Sequence, residues 1–291
     1  MTEETGGTGT RGTDGGSAGA GAADAGRGAA GAAWDVDAVA ARWRAEQPGT
    51  VLLDGFHALK HALRFGADVR LAVAADRVAA LRLAEELAPD LMGRLGAELA
   101  EVGAAGLRQL VPRPHPTGVA ALATPPDRAA HLDVLVRQPR QAPVVVLDSP
   151  RNLGNVGAVV RLVAGFGATG LVTTGDLDPW HPNAVRSGAG LHWATAVARV
   201  ESGELPPGPL LVLDPEGEDL RRTELPDDAL LVFGSERHGV DPDLRAKADA
   251  LVSLPMRERV SSYNLATSVG MALYHWTATS RSPRVPGGPL L

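Results

Sequence analysis

The stretch NLGNVGAVVRLVAGFGATGLV, Asn152 to Val172, decides the fold. It follows a continuous apolar run, Val144 to Leu147, of the kind that fills a parallel strand buried on both faces. Apolar spacing predicts a helix from about Val156 to Phe166, and Leu171-Val172 opens the next strand. Strand, helix and strand therefore succeed one another as in a parallel α/β sheet. Gly165, Gly167 and Gly170 match the dinucleotide-binding spacing, yet they follow a helix and precede a strand. That is the reverse of the order that sets a pyrophosphate on a helix N-terminus, so the match carries no dinucleotide site.

Downstream the same alternation continues. A short helix is predicted around Ala184, strands near Ala196 to Val200, Leu210 to Leu213, Leu230 to Phe233 and Leu251 to Leu254, and a last helix from Tyr263 to about Thr277 with Leu265, Val269, Ala272 and Trp276 on one face. Upstream, Val36, Val39, Ala40 and Trp43 recur at helical spacing. Val51 to Leu53 and Leu71 to Val73 read as strands followed by helices over Gly55 to Arg64 and Val78 to Leu87; further strands are expected to end near Leu110-Val111 and to cover Thr117 to Thr124. RQPRQAP, Arg137 to Pro143, breaks the pattern and reads as a linker. Four regions follow: a disordered Gly/Ala-rich tail over 1–33, a smaller α/β domain over 34–139, a larger parallel-sheet domain over 142–280, and a loose Pro/Gly-rich end over 281–291.

Composition narrows the chemistry. The 291 residues include no cysteine, which removes disulfides, thiolate metal sites and cysteine nucleophiles. The formal net charge of -6 supplies no global basic field, so any nucleic-acid contact has to be local. Lys occurs only at 60 and 247 in an Ala-, Gly- and Pro-rich chain, so its many arginines reflect composition as much as function. No signal-peptide pattern and no run of about 18 apolar residues is present, and the expectation is a cytoplasmic protein with no membrane partner. His57 and His61 stand four apart on a predicted helix but lack the glutamate and third ligand of a zinc site.

Three stretches of the second domain are strand ends running into glycine and polar residues, where open α/β sheets place ligands. They are Asn152 to Val172, LLVFGSERHGV (Leu230 to Val240) and LPMRERVSSYNLATSVGMALY (Leu254 to Tyr274). Asn155 and Arg161 lie a little under two turns apart on the first helix. Arg161 is flanked in sequence by Val159, Val160, Leu162 and Val163, which suggests a buried guanidinium in want of an anion. Gly234 lets backbone approach a ligand, and Glu236 offers a carboxylate. Ser262 and Asn264 stand at the start of the last helix, where capping is the ordinary role for one of them.

In order, spacing and residue type these segments resemble the three motifs of the SpoU (TrmH) family of RNA methyltransferases, and HPNAVRSGAG, His181 to Gly190, resembles its loop-helix segment between the first two. The resemblance implies an α/β knot with S-adenosylmethionine bound in the knotted region, a homodimer whose active site borrows residues across the interface, and methyl transfer to a ribose 2'-hydroxyl of rRNA or tRNA. By resemblance Asn155, Arg161, Glu236, Ser262 and Asn264 belong to the active site, with Asn155 and Glu236 positioning Arg161. Gly234, Leu254, Met256 and Tyr263 line the cofactor pocket. Arg161 would be the base or the electrostatic stabiliser of the forming alkoxide; its high pKa makes it an awkward base, and the sequence leaves both open. This chain departs from the family's third motif at Arg257-Glu258-Arg259 and at Tyr263, which puts pocket shape and RNA fit in question. The first domain, through DGFHALKHALRFG (Asp54 to Gly66) and PTGVAALAT (Pro116 to Thr124), resembles a ribosomal-protein-like RNA-binding domain. Arg137, Arg140, Arg151, Arg186, Arg257 and Arg259 are the candidates for an RNA groove. The alternatives are a catalytically silent RNA-binding relative and a methyltransferase with a non-RNA substrate.

Overall fold

The computed structural model describes residues 34–279; the expected tail over 1–33 and loose end over 281–291 lie outside the described residues. The first unit contains α1 (Val36–Glu46), β1 (Val51–Asp54), α2 (Phe56–Arg64), β2 (Val69–Ala74), α3 (Arg77–Leu87), α4 (Met92–Glu98), β3 (Leu99–Glu101), α5 (Gly103–Leu110) and β4 (Val119–Ala123). Its sheet runs β1-β4-β2-β3, with β4 antiparallel to both neighbours and β3 parallel to β2. Asp35 and Asp76 start α1 and α3 by accepting from the Ala38 and Ala79 N–H groups at 3.0 and 2.9 Å. The strand expected to end at Leu110-Val111 is instead α5. Leu107 and Leu110, three apart, bury one helical stripe with Val102, while the edge strand lies earlier at β3.

The second unit follows through α6 (Arg128–Val136), β5 (Val144–Leu147), α7 (Leu153–Phe166), β6 (Gly170–Thr173), α8 (Pro182–Ser187), β7 (Ala196–Arg199), β8 (Leu210–Asp219), β9 (Leu230–Phe233), α9 (Pro242–Ala246), β10 (Ala250–Ser253) and α10 (Leu265–Thr279). Six parallel strands in the order β10-β8-β9-β5-β6-β7 form its sheet. β5, β6 and β9 are buried at every residue, as two covered faces require. One face carries α7 and α10, whose Val156, Val159, Val160, Val163, Val269 and Trp276 share a core; burying each such side chain contributes about 1.5–3 kcal/mol. The other face carries Leu135 of α6 and Leu244 of α9. Gly167, in the left-handed region at φ 69, ends α7, so the Gly165 to Gly170 run is a helix terminus. Among the described residues no helix is long and apolar enough to cross a membrane.

Two features change the expected organisation. α6 falls before the expected boundary at 139/142, yet Leu135 packs with Val144 and Val172 and the His131 imidazole accepts from Val197 N–H at 2.9 Å, so α6 covers the second sheet. The linker is pinned as well: Arg140 is buried, and its guanidinium donates to the carbonyls of Leu135 and Asp228. Arg140 is thus a structural cation and not a groove residue. The two units also share a core, in which Val185 and Trp193 of the second lie among Phe56, Leu59 and Leu63 of the first.

Candidate active site

Because all six strands run parallel, their carboxyl ends meet on one edge, and the strand order reverses beside β5, the geometry at which open sheets bind ligands. A cavity of about 500 Å³ opens there against the ends of β8, β9 and β10. Leu213, Phe233, Leu254, Met256 and Leu265 give it apolar walls, and Ser235, Ser261, Ser262 and Ser268 add hydroxyls. Gly234, Glu236, Tyr263 and Asn264 also line it, so the second and third motif segments converge on one cavity.

Local chemistry explains this convergence. At Gly234 a Cβ would run into the backbone of Gly239 and Val240, so only glycine lets the β9 end fold back on itself. The turn closes through Ser235 N–H to the Gly239 carbonyl at 2.9 Å and Gly239 N–H to the Ser235 carbonyl at 3.1 Å. β8 makes an excursion: consecutive Leu251 and Val252 of β10 pair with Val212 and Glu218, and residues 213–217 bulge between them to bring Leu213 and Asp214 to the cavity. Arg245 holds that bulge through Asp214 at 2.6 Å and Glu216 at 2.7 Å, and keeps the Asp214 carboxyl below the usual carboxylate range. Tyr263 Oη donates to the Pro255 carbonyl at 3.0 Å, closing the 255–263 segment over the pocket.

The polar centre is a relay of three side chains. Asn155 Nδ2 donates to Glu236 Oε1 at 2.6 Å, and Asn264 Nδ2 donates to Asn155 Oδ1 at 3.1 Å. Glu236 also lies 3.4 Å from the Arg151 N–H. Asn264 does two jobs: its Oδ1 caps α10 by accepting from Ala266 and Thr267 at 3.0 and 3.3 Å, which turns Nδ2 toward Asn155. The last helix accordingly starts at Leu265, two residues later than expected from the sequence. Asn152 caps α7 by accepting from the Gly154 and Asn155 N–H groups at 2.7 and 3.2 Å, which presents Asn155 in the first turn.

Arg161 stands apart from this relay. It is exposed and makes no hydrogen bond or ion pair among the described residues. The expectation of a buried guanidinium is corrected: residues adjacent in sequence are about 100° apart around a helix, so Val160 and Leu162 say nothing about the face that Arg161 occupies. Asn155 and Glu236 bond each other and do not touch Arg161, which lies about 9 Å further along α7. Arg186 is not a free groove cation either, since it pairs with the buried carboxylate of Asp54 at 2.7 Å. Reading the sequence also passed over Asp148, buried at the end of β5, which accepts from Thr174 Oγ1 and Asp241 N–H, both at 2.7 Å, and so ties three strand-end loops together. An acidic residue closing an apolar strand was the available signal.

Comparison with known proteins agrees with this geometry. The model of the SpoU rRNA Methylase family matches residues 142–274. The chain is 31% identical over 144 residues to a 23S rRNA (uridine(2479)-2'-O)-methyltransferase of Streptomyces viridochromogenes, covering 45% of this chain and 50% of that one. It is 26% identical over 258 residues to an uncharacterized tRNA/rRNA methyltransferase of Synechocystis, covering 83% and 89%. Across the first curated relatives the match spans 27% to 62% of the relative's own length. In fold the chain is similar to the SpoU methyltransferase AviRb of Streptomyces viridochromogenes in complex with AdoMet, with a TM-score of 0.68 at 24% identity over 84% of this chain and 98% of that one. Residues 142–274 of this chain are thus similar in sequence to the SpoU rRNA Methylase family.

Proposed function

We propose that the protein transfers a methyl group from S-adenosylmethionine to a ribose 2'-hydroxyl of rRNA or tRNA. The observation that carries this reading is the convergence of all three motif segments on one strand-end site, with the Asn155–Glu236–Asn264 relay at its rim. The cavity fits the cofactor: apolar walls suit an adenine ring, about 500 Å³ suits a nucleoside with a short amino-acid arm, and the tight turn that Gly234 permits sets the 234–239 backbone at the cavity wall. Gly234, Leu254, Met256 and Tyr263 would hold it. When bound, S-adenosylmethionine supplies an activated sulfonium methyl.

The remaining work belongs to the chain's own residues. Asn264 and Ser262 orient the nucleotide and the 255–263 segment, and Glu236 fixes Asn155. The departing 2'-hydroxyl proton leaves an alkoxide, which Arg161 either stabilises electrostatically or helps to form as a proton acceptor. The outward position of Arg161 supports a homodimer in which the arginine of one copy completes the cavity of the other. The α/β knot is the finer fold reading, supported by the packing of the 255–263 segment and the 234–240 turn around one pocket. The first unit, residues 34–123, serves to capture RNA, and the protein works in the cytoplasm.

Incubation of the full-length protein with tritiated S-adenosylmethionine and unmethylated total RNA, followed by size fractionation and nucleoside analysis, tests this reading. Label in a 2'-O-methyl nucleoside is expected, and the labelled band separates rRNA from tRNA. Cofactor binding without label in RNA would overturn it in favour of a silent relative or a non-RNA substrate.

A further inference from the structure

α2 and the end of β1 are held against the second unit at three points. Gly190, at φ 73, meets the backbone of Ala58 so closely that no Cβ fits. His61 Nδ1 lies 2.8 Å from the Ala189 carbonyl oxygen, and Arg186 of α8 pairs with Asp54 at the end of β1. α8 in turn rides on α7 at Gly157, where a Cβ would strike the Ala184 carbonyl and lie 2.6 Å from Gly188 N. Arg161 is one helical turn beyond Gly157. This succession of close backbone contacts brings the exposed His57, in the first turn of α2, within electrostatic reach of Arg161.

His115 joins them from the loop before β4. Its ring packs over Gly55, 2.8 Å from where a Cβ would stand, and its Nδ1 lies 2.9 Å from Thr117 Oγ1, which accepts from the Phe56 N–H at 3.0 Å. Burial first, then Lys60, His115 and Arg161, push the His57 imidazole below its ordinary pKa, and no carboxylate opposes them. Asp54, the carboxylate buried in this wall, is already taken by Arg186 and by the His115 N–H at 2.8 Å. His61, one turn further along α2, is engaged with Ala189.

A surface that gathers an arginine and two imidazoles without a free counter-charge suits an anion, which would supply the negative charge that favours a proton on an imidazole. We propose that the surface at the junction of α2 and α7 binds an RNA phosphate through His57, His115 and Arg161, fixing the backbone beside the ribose on which Arg161 acts. The inference rests on the methyltransferase reading and adds to it two specificity residues outside the family's motifs. Phosphate binding would favour protonated His57, so RNA affinity should rise as the pH falls from 8 to 6.5.

The test uses full-length protein carrying His57→Gln with His115→Gln, and, separately, His57→Lys. Filter binding of unmethylated total RNA at pH 6.5 is measured against salt, together with KM for RNA and S-adenosylmethionine affinity. The double variant is expected to raise KM for RNA about tenfold, to lower the salt slope by about one, and to lose the rise in affinity at low pH. Cofactor affinity should be unchanged, and His57→Lys should keep the slope because it restores the charge. A double variant with wild-type cofactor affinity, wild-type KM and an unaltered slope would overturn the phosphate site. Should the double variant misfold, loss of the slope in His57→Lys would do the same. Wild-type protein that binds cofactor but neither binds nor labels RNA would instead sink the methyltransferase reading.

Discussion

Acidification from pH 7 to 5 should destabilise the protein through His192. This imidazole is fully enclosed in the single 3-10 turn Leu191–Trp193 that joins α8 to β7, with the Trp180 ring 5.2 Å away. Its Nε2–H donates to the Pro179 carbonyl at 3.0 Å, while Nδ1 has no partner among the described residues. A proton on Nδ1 would be buried unpaired, and burial lowers the pKa from 6.5 to about 4, with the Pro179 bond opposing and His131 adding slightly. The folded pKa lies below the unfolded one, so the unfolded chain takes up the proton first as the pH falls. Stability is therefore complete above about pH 6.5 and lost on the way down to about 4. Between pH 7 and 5 the loss is about 2 kcal/mol, and below pH 4 it approaches about 3 kcal/mol. In urea unfolding, at an m-value of about 3 kcal/mol/M, the pH 5 midpoint should fall by roughly 0.7 M through this group. His192→Gln keeps a donor for Pro179 and removes the titration. His57, His61 and His131, whose pKa values are also lowered by burial, act in both proteins and cancel. Parallel pH dependences for wild type and His192→Gln would refute the reasoning.

Other outcomes follow from the packing. Gly157→Ala should destabilise by about 1–3 kcal/mol, as overpacking does, and should depress methyl transfer by shifting α7 on α8; chemical denaturation and the transfer assay read the two effects. Arg186→Gln removes the cation from the Asp54 carboxylate, 6% exposed, leaving it the His115 N–H, and should cost about 3 kcal/mol, most of it recovered in the double variant with Asp54→Asn. Arg161→Ala should leave the melting temperature within about 1 °C, since it removes an exposed side chain without bonds, yet abolish transfer. Retained transfer would remove Arg161 from the mechanism.

The central strands were legible because a parallel strand buried on both faces must be an uninterrupted apolar run: β5 and β9 begin and end where that run does. Short edge elements were not. α5 and β3 together span fewer than a dozen residues, too few for a period to declare itself, and α6 shows its role only through partners far along the chain. The relay joins Asn155 to residues 81 and 109 positions away, a convergence that no local pattern encodes and that only resemblance to a family could suggest. Arginines misled in both directions. Arg140 and Arg186 read as solvent cations but are tied into the interior, whereas Arg161 reads as enclosed but faces out.

The Asp54–Arg186 pair and the shared core bear on how a target would be chosen. With that pair, the His61 contact to Ala189 and a core common to both units, the described residues tie the first unit to the second at several points, like a calliper set at one opening. On the proposed RNA reading, a target would be accepted when the distance between its ribose and the element held at α2 matches that gap, so discrimination would measure length and shape before any base is read, and docking would incur little additional ordering entropy.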